Sequence, residues 1–264
     1  MEQNQDMKIL AINSSFRGSK GISSDIIDKI FLGARGYGAN CESINLVEYN
    51  IKRCIGCKKC QVLGNQKRCI FNKLDDVDII FTKIRNADIV IYSTPIYVLT
   101  ISSLLKTLLE RTFYTSKVDD ICVTNTGLFF HDIDTSISSK PFVSLILCDN
   151  IETLTTKNAI SFFETYSMFT DSENLGILVR KSASLFRETD VDIKKQKIID
   201  CINDAYIEAG KELVTNGRIS SKTLSTANQD IIRVPKVIKL LLKFDFFRNN
   251  IDISSRIKSE RSKA

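Results

Sequence analysis

Histidine is nearly absent: His131 is the one histidine in 264 residues. A lone histidine in a polar stretch is most often a surface residue, so chemistry that needs several imidazoles has nothing to draw on. No run of 18 apolar residues occurs, and no segment therefore reads as a membrane span. The opening "MEQNQDMKIL" is polar and leads straight into a strand-like segment, which is not the pattern of a cleavable leader; the expected location is the cytoplasm. Internal repeats and low-complexity tracts are also missing. The glycine-rich "GARGYG" (33–38) falls where a helix is expected to end, not where a strand turns into one, which excludes a dinucleotide fingerprint.

The chain carries a net charge of +6, with 43% hydrophobic and 26% charged residues, ordinary for a globular protein with a real core. The charge is uneven. From 216 to the end, 11 Lys/Arg stand against 4 Asp/Glu, a surplus of seven, so the first 215 residues sum to −1. The basicity belongs to the tail and says little about what the main domain binds.

Apolar strand-like runs at 7–15, 38–48, 87–95, 140–150 and 173–181 alternate with helix-like periods at 23–34, 75–86, 102–113, 152–168 and 190–215. In the first helix Ile26, Ile27, Ile30 and Phe31 share a face; in the third, Leu104, Leu105, Leu108 and Leu109 do. Alternating strands and helices predict a doubly wound α/β domain over 1–215, with a five-stranded parallel sheet covered on both faces. A basic extension follows at 216–264. Residues 114–139 show no convincing period, as expected of a functional lid or a disordered excursion.

In open α/β sheets a ligand sits beyond the carboxyl ends of the strands, where strand order reverses. The loop leaving the first strand, "NSSFRGSKGISS" (13–24), offers serine hydroxyls, two glycines, Arg17 and the free amides of a helix start. That set suits a phosphate, although a serine-rich turn with a helix cap would look the same. In the loop after the third strand, "STPIYVLT" (93–100), Pro95 fixes the chain direction and Tyr97 supplies a flat ring near the expected crevice.

"ILAINSSFRGSKGISSDII" followed by "CIGCKKC…RCIFNKLDDVDIIFTKIRNADIVIYSTPIYVLTISSLLKTLLERTF" resembles the flavodoxin-like NAD(P)H-dependent FMN reductases, and more narrowly the iron-sulfur flavoproteins. The resemblance implies strand order 2-1-3-4-5 with FMN at the switch point, the arrangement flavodoxin itself illustrates. It implies that Ser15, Arg17 and Ser23 lie in the phosphate loop. It also implies that Thr94, Pro95, Ile96 and Tyr97 border the ring and ribityl chain. Phe16 stands where the family usually has proline, Ile22 where it usually has asparagine, and Lys20 reads as an insertion.

Half of the eight cysteines fall within "CIGCKKCQVLGNQKRC" (54–69). Cys54-x2-Cys57-x2-Cys60 is a spacing that lets three thiolates wrap one face of a cubic cluster, with Cys69 as the fourth ligand. Lys52, Arg53, Lys58, Lys59, Lys67 and Arg68 offset an anionic site, and Gly56 and Gly64 permit tight turns. Zinc on four cysteines and a metal-free thiol group are open alternatives. Cys41, Cys122, Cys148 and Cys201 read as small core hydrophobes or idle thiols.

In the tail, "VPKVIKLLLKFDFF" (234–247) spaces Lys236, Lys239 and Lys243 along an otherwise apolar helix, with Pro235 in its first turn. Packing on its own domain or a dimer partner is the expectation, ahead of a membrane surface or an acidic redox partner; nucleic acid is not expected.

These readings converge on an FMN-dependent oxidoreductase that relays electrons between a 4Fe-4S cluster and FMN. The donor would be a nicotinamide or ferredoxin type, the acceptor a small molecule or protein, and the family resemblance implies a homo-oligomer. No side-chain acid or base is nominated, because a flavin carries the chemistry itself. The rivals are an FMN or quinone reductase without a cluster, and a non-enzymatic zinc or thiol module on the same scaffold.

Overall fold

The computed structural model describes residues 7–62 and 68–233, with Val237, Leu240 and Lys243 beyond them; at 117–120 it describes the backbone alone. Gly64, Lys67, Pro235, Lys236 and Lys239, singled out above, lie outside the described residues.

The apolar runs at β1 (Lys8–Asn13), β3 (Ile89–Pro95) and β6 (Phe142–Leu147) are buried almost throughout. Strands buried on both faces are what helices on both sides of a parallel sheet require. With β2 (Asn40–Asn45) and β7 (Asn174–Arg180) they form one parallel sheet in the order β2-β1-β3-β6-β7. Counted among the sheet's own strands, that is the expected 2-1-3-4-5.

One face of the sheet presents Leu10, Ile12, Val90, Tyr92, Phe142 and Ile146 to α2 (Val77–Asn86), α3 (Ser103–Glu110) and α5 (Lys157–Thr170). Each such aliphatic or aromatic side chain taken from water contributes about 1.5–3 kcal/mol. Strand alternation sends Ile9, Ala11, Ile89 and Ile91 to the other face, which α1 (Ile22–Arg35) covers, with α6 (Ile193–Asn216) packed against α1. These two helices touch backbone to backbone. A Cβ on Gly33 would stand 1.8 Å from the Ile207 carbonyl oxygen, and one on Gly210 would stand 1.8 Å from that of Ile30. Gly33 therefore serves helix packing.

Residues 114–139 do contain regular structure: β4 (Lys117–Val123) and β5 (Phe129–Asp132) form an antiparallel hairpin, and a single turn, α4 (Thr135–Ser138), follows. Asp119 and Asp120 interrupt the apolar alternation, which is why no period was legible. His131 is exposed on β5 opposite Ile121.

The first compact unit also runs past 215, to Ile231. The Ile219 N–H donates to the Leu175 carbonyl at 3.1 Å, and α7 (Ser221–Ala227) then packs on β7. Beyond α7 the Asn228 side chain accepts from Val179 N–H (2.7 Å) and donates to the Ile177 carbonyl (2.9 Å), satisfying the outer edge of β7 as a neighbouring strand would. In the second unit, from Ile232 onward, Val237 and Leu240 are exposed, and Lys243 N–H donates to the Leu240 carbonyl at 3.1 Å.

Candidate functional site

Strand order reverses between β1 and β3. From β1 the chain crosses to β2 on one side, and from β3 it goes on to β6 on the other. The loops leaving the carboxyl ends of these two adjacent strands therefore frame the switch-point crevice.

The first loop is tightly built. Asn13, buried at the end of β1, donates to the Gly18 carbonyl (3.2 Å) and to Asn45 Oδ1 at the end of β2 (3.0 Å). Ser15 N–H donates back to Asn13 Oδ1 (3.1 Å), and Arg17 N–H donates to Ser15 Oγ (3.2 Å). Gly18 sits at φ +52, where a side chain would be strained. A Cβ on Gly21 would meet Ser15 Oγ at 3.0 Å and the Gly18 carbonyl at 3.3 Å. Gly21 is the N-cap of α1, and no side chain caps that helix; Ser24 N–H donates to the Gly21 carbonyl at 3.0 Å, which leaves the Ile22 and Ser23 amides without an acceptor among the described residues. Ser15 and Ser23 are buried beside them, while Arg17 is exposed and makes no side-chain hydrogen bond or ion pair among the described residues.

The third-strand loop divides its residues. Thr94 is fully buried, and its hydroxyl accepts from the Ser102 N–H at 2.9 Å, which commits the side chain to the start of α3. The Ile96 N–H reaches the Leu147 carbonyl at 2.7 Å; Pro95 and Ile96 are half-buried. Tyr97 is 40% exposed, and its ring stands 5.8 Å from that of Phe16, so the two loops meet across the crevice through an aromatic pair. Of the residues that depart from the expected pattern, Phe16 is thus the one Tyr97 touches. Tyr97 and Thr100 exchange backbone hydrogen bonds around Val98 (φ +48) and Leu99 (φ +66), a type I′ turn built without glycine or asparagine. Such left-handed positions cost about 1–2 kcal/mol per residue. The Asn158 side chain holds the turn by donating to the Leu99 carbonyl at 3.2 Å.

The cysteine stretch leaves the same sheet edge after β2. Cys54, Cys57, Cys60 and Cys69 border one recess, together with Ile70, Phe71, Arg111 and Tyr114. Cys57 is exposed and the other three are half-buried. Burial pushes the Cys60 thiol up, a backbone hydrogen bond opposes that, and negative charge on Cys69, Cys57 and Cys54 pushes it further up. Among the described residues, no group of three or more His, Cys, Asp or Glu side chains is arranged to hold a metal ion.

Beneath the recess lies a buried ion pair that periodicity and motif spacing did not reveal. The Arg111 guanidinium donates to the Asp75 carboxylate, both side chains being 2% exposed, and to the Lys52 carbonyl at 2.7 Å. Asp75 also accepts from the Lys52 N–H at 3.1 Å, so the backbone just before Cys54 is gripped on both sides. One residue further out, Asn50 N–H donates to the Asp76 carboxylate at 2.7 Å, and Asp76 N–H donates to the Asn50 carbonyl at 2.9 Å. "LDD" before α2 and "ERT" after α3 carried no separate signal, because their pairing spans 36 residues. Tyr114, hydrogen-bonded to Asp78 at 2.5 Å, has its phenol pushed well up by burial and by that carboxylate.

Residues 7–128 match the NADPH-dependent FMN reductase family, a span just short of half the chain. An iron-sulfur flavoprotein of Methanocaldococcus jannaschii is 31% identical over 105 residues, covering 40% of this chain and 51% of the relative. An iron-sulfur flavoprotein of Archaeoglobus fulgidus is 31% identical over 105 residues, covering 40% and 48%. The chain thus spans about half the length of the curated relatives it matches. Among solved structures, an azoreductase from Bacillus anthracis superposes with a TM-score of 0.56 at 14% identity, over 78% of this chain and 99% of that one. An FMN-dependent NADH-azoreductase from Bacillus anthracis, solved with FMN, gives 0.55 at 14% identity, over 79% and 100%. At that identity the likeness is one of fold.

Proposed function

We propose that this chain, matched over residues 7–128 to the NADPH-dependent FMN reductases, is a flavin-dependent oxidoreductase that binds FMN at the switch point and a 4Fe-4S cluster at its four clustered cysteines. The observation that carries the flavin assignment is the uncapped α1 start behind the Ser15–Gly21 loop. Glycine is required there for close approach, and buried hydroxyls and a cation surround the amides. Helix dipole, amide donors and Arg17 all favour a phosphate dianion at that point. Ser15, Arg17 and Ser23 would hold it. Pro95, Ile96 and Tyr97 would border the ring, and Thr94 would act indirectly by fixing the loop to α3. Phe16 joins this set through its contact with Tyr97.

For the cysteine site, the donor chemistry fits: Cys54, Cys57, Cys60 and Cys69 are soft ligands around one recess with an apolar wall. Four sulfurs on one zinc ion would stand about 3.8 Å apart, from Zn–S bonds of about 2.3 Å. No gathering of that kind is found among the described residues. The same observation favours the second reading, an FMN reductase with no resident metal.

When bound, FMN exchanges one or two electrons and a cluster exchanges one, so together they supply a relay between two-electron and one-electron partners. The residues of this chain bind, orient and shield them. A nicotinamide donor follows from the family, and a homo-oligomer remains the expected assembly.

The test is an absorption spectrum of anaerobically purified chain, with flavin, iron, sulfide and zinc assayed on the same sample. Bound flavin with about four irons per chain is expected. Flavin without iron selects the second reading, and zinc without flavin overturns both.

A further inference from the structure

The buried ion pair does more than grip the cysteine loop. Arg111 borders the recess shared by Cys54, Cys57, Cys60 and Cys69. Its Nη1 serves Asp75 and the Lys52 carbonyl, while its Nε–H, buried, has no acceptor among the described residues. A guanidinium holds its donors in a rigid fork, so locking Nη1 also fixes where Nε–H and the Nη2 donors point. The face of the guanidinium is held too: Cζ stands 5.5 Å from the Phe71 ring centre and 5.9 Å from that of Tyr114. A buried donor left without an acceptor is costly, and native proteins rarely keep one without a ligand or water to meet it. Among the described residues the other cation bordering the recess, Lys58, is exposed, so solvent screens its charge. Glu110, also at the rim, is paired with Lys106 at 2.8 Å.

We propose that Arg111 is a positioning residue for the cysteine site: its Nε–H donates to a cysteine sulfur of the bound cluster, and its low-dielectric charge favours the cluster's reduced state. This rests on the cluster reading above. Adding one electron makes the cluster one unit more negative. A fixed donor and a buried cation stabilise that state more than the oxidised one, raising the midpoint potential. Asp75 opposes this from the far side of the guanidinium, but its charge is also met by the Lys52 N–H.

The experiment uses the full chain purified without oxygen. Iron and sulfide are counted, and the cluster midpoint potential is read by dithionite titration followed by electron paramagnetic resonance. Arg111→Lys keeps a charge but loses the fork. Asp75→Asn/Arg111→Gln removes both charges together, so that no lone carboxylate is left buried. Lys58→Gln is the exposed control.

Both Arg111 variants are expected to keep the wild-type iron count while the potential moves negative, and Lys58→Gln is expected to move it far less. Unchanged potentials with intact iron would overturn the proposal, as would a shift for Lys58→Gln equal to that for Arg111→Lys. Loss of iron from both Arg111 variants with an unaltered circular dichroism spectrum would make the residue a structural clamp only, again overturning it. Absence of iron from the wild-type chain would instead mark failure of the cluster reading itself.

Discussion

Gly33→Ala should destabilise this protein severely, whereas Gly36→Ala, three residues along, should not. At Gly33 the added methyl would sit 1.8 Å from the Ile207 carbonyl oxygen, 2.7 Å from its carbon and 3.1 Å from Lys211 N, all backbone atoms of α6. Bringing the first contact to about 3.2 Å means moving the two helices apart by about 1.4 Å, in an interior packed as densely as an organic crystal. That displacement opens gaps along the row of Ile26, Ile30, Ile202 and Tyr206, all fully buried. Overpacking costs about 1–3 kcal/mol even where side chains can yield, and here the obstacle is backbone. The better helix propensity of alanine returns only about 1 kcal/mol. A net loss of at least about 2 kcal/mol is therefore expected.

At Gly36 the nearest atoms lie at 3.4 and 3.5 Å and φ is −60°, so alanine fits. The change there should lie between neutral and about 1 kcal/mol stabilising, through a less flexible unfolded chain. Urea unfolding followed by circular dichroism reads both. A Gly33→Ala midpoint within error of wild type, with unchanged slope, would refute the backbone contact between α1 and α6. Because α1 carries the Ser15–Gly21 loop at its start, Gly33→Ala should weaken FMN retention as well.

Two further outcomes follow from the crevice. With Arg17 on the phosphate as proposed, Arg17→Ala would remove a charge-assisted contact of about 1.5–3 kcal/mol, so FMN affinity read by fluorescence titration at low salt should fall about tenfold to a hundredfold; unchanged affinity would remove Arg17 from the phosphate site. Leu99→Gly relieves a left-handed residue at φ +66 that costs about 1–2 kcal/mol, offset by the greater chain entropy of glycine, for a net gain of up to about 1 kcal/mol in thermal or urea unfolding. A clear loss of stability would mean that the Leu99 side chain holds contacts worth more than the strain.

The order of strands and helices was legible in the residues alone, because burial on two faces forces unbroken apolar runs such as "FVSLIL" and one-faced burial forces the helical spacing of Ile26, Ile27, Ile30 and Phe31. The loop at 13–24 and the cysteine stretch were legible for a related reason: each gathers its chemistry within a few consecutive residues. The hairpin at 117–132 was not, since its pairing depends on residues across a turn and its own alternation is broken by acids. Nor was the end of the first unit, where one side chain, Asn228, completes a strand edge 49 residues earlier. What tertiary structure alone decided is which distant groups face one another: Phe16 against Tyr97 across the crevice, and Arg111 with Asp75 beneath the cysteines. Local sequence carries period and composition. A contact between residues dozens of positions apart is set by the register of the sheet and the close approach of helices, and exists only once the chain has closed on itself.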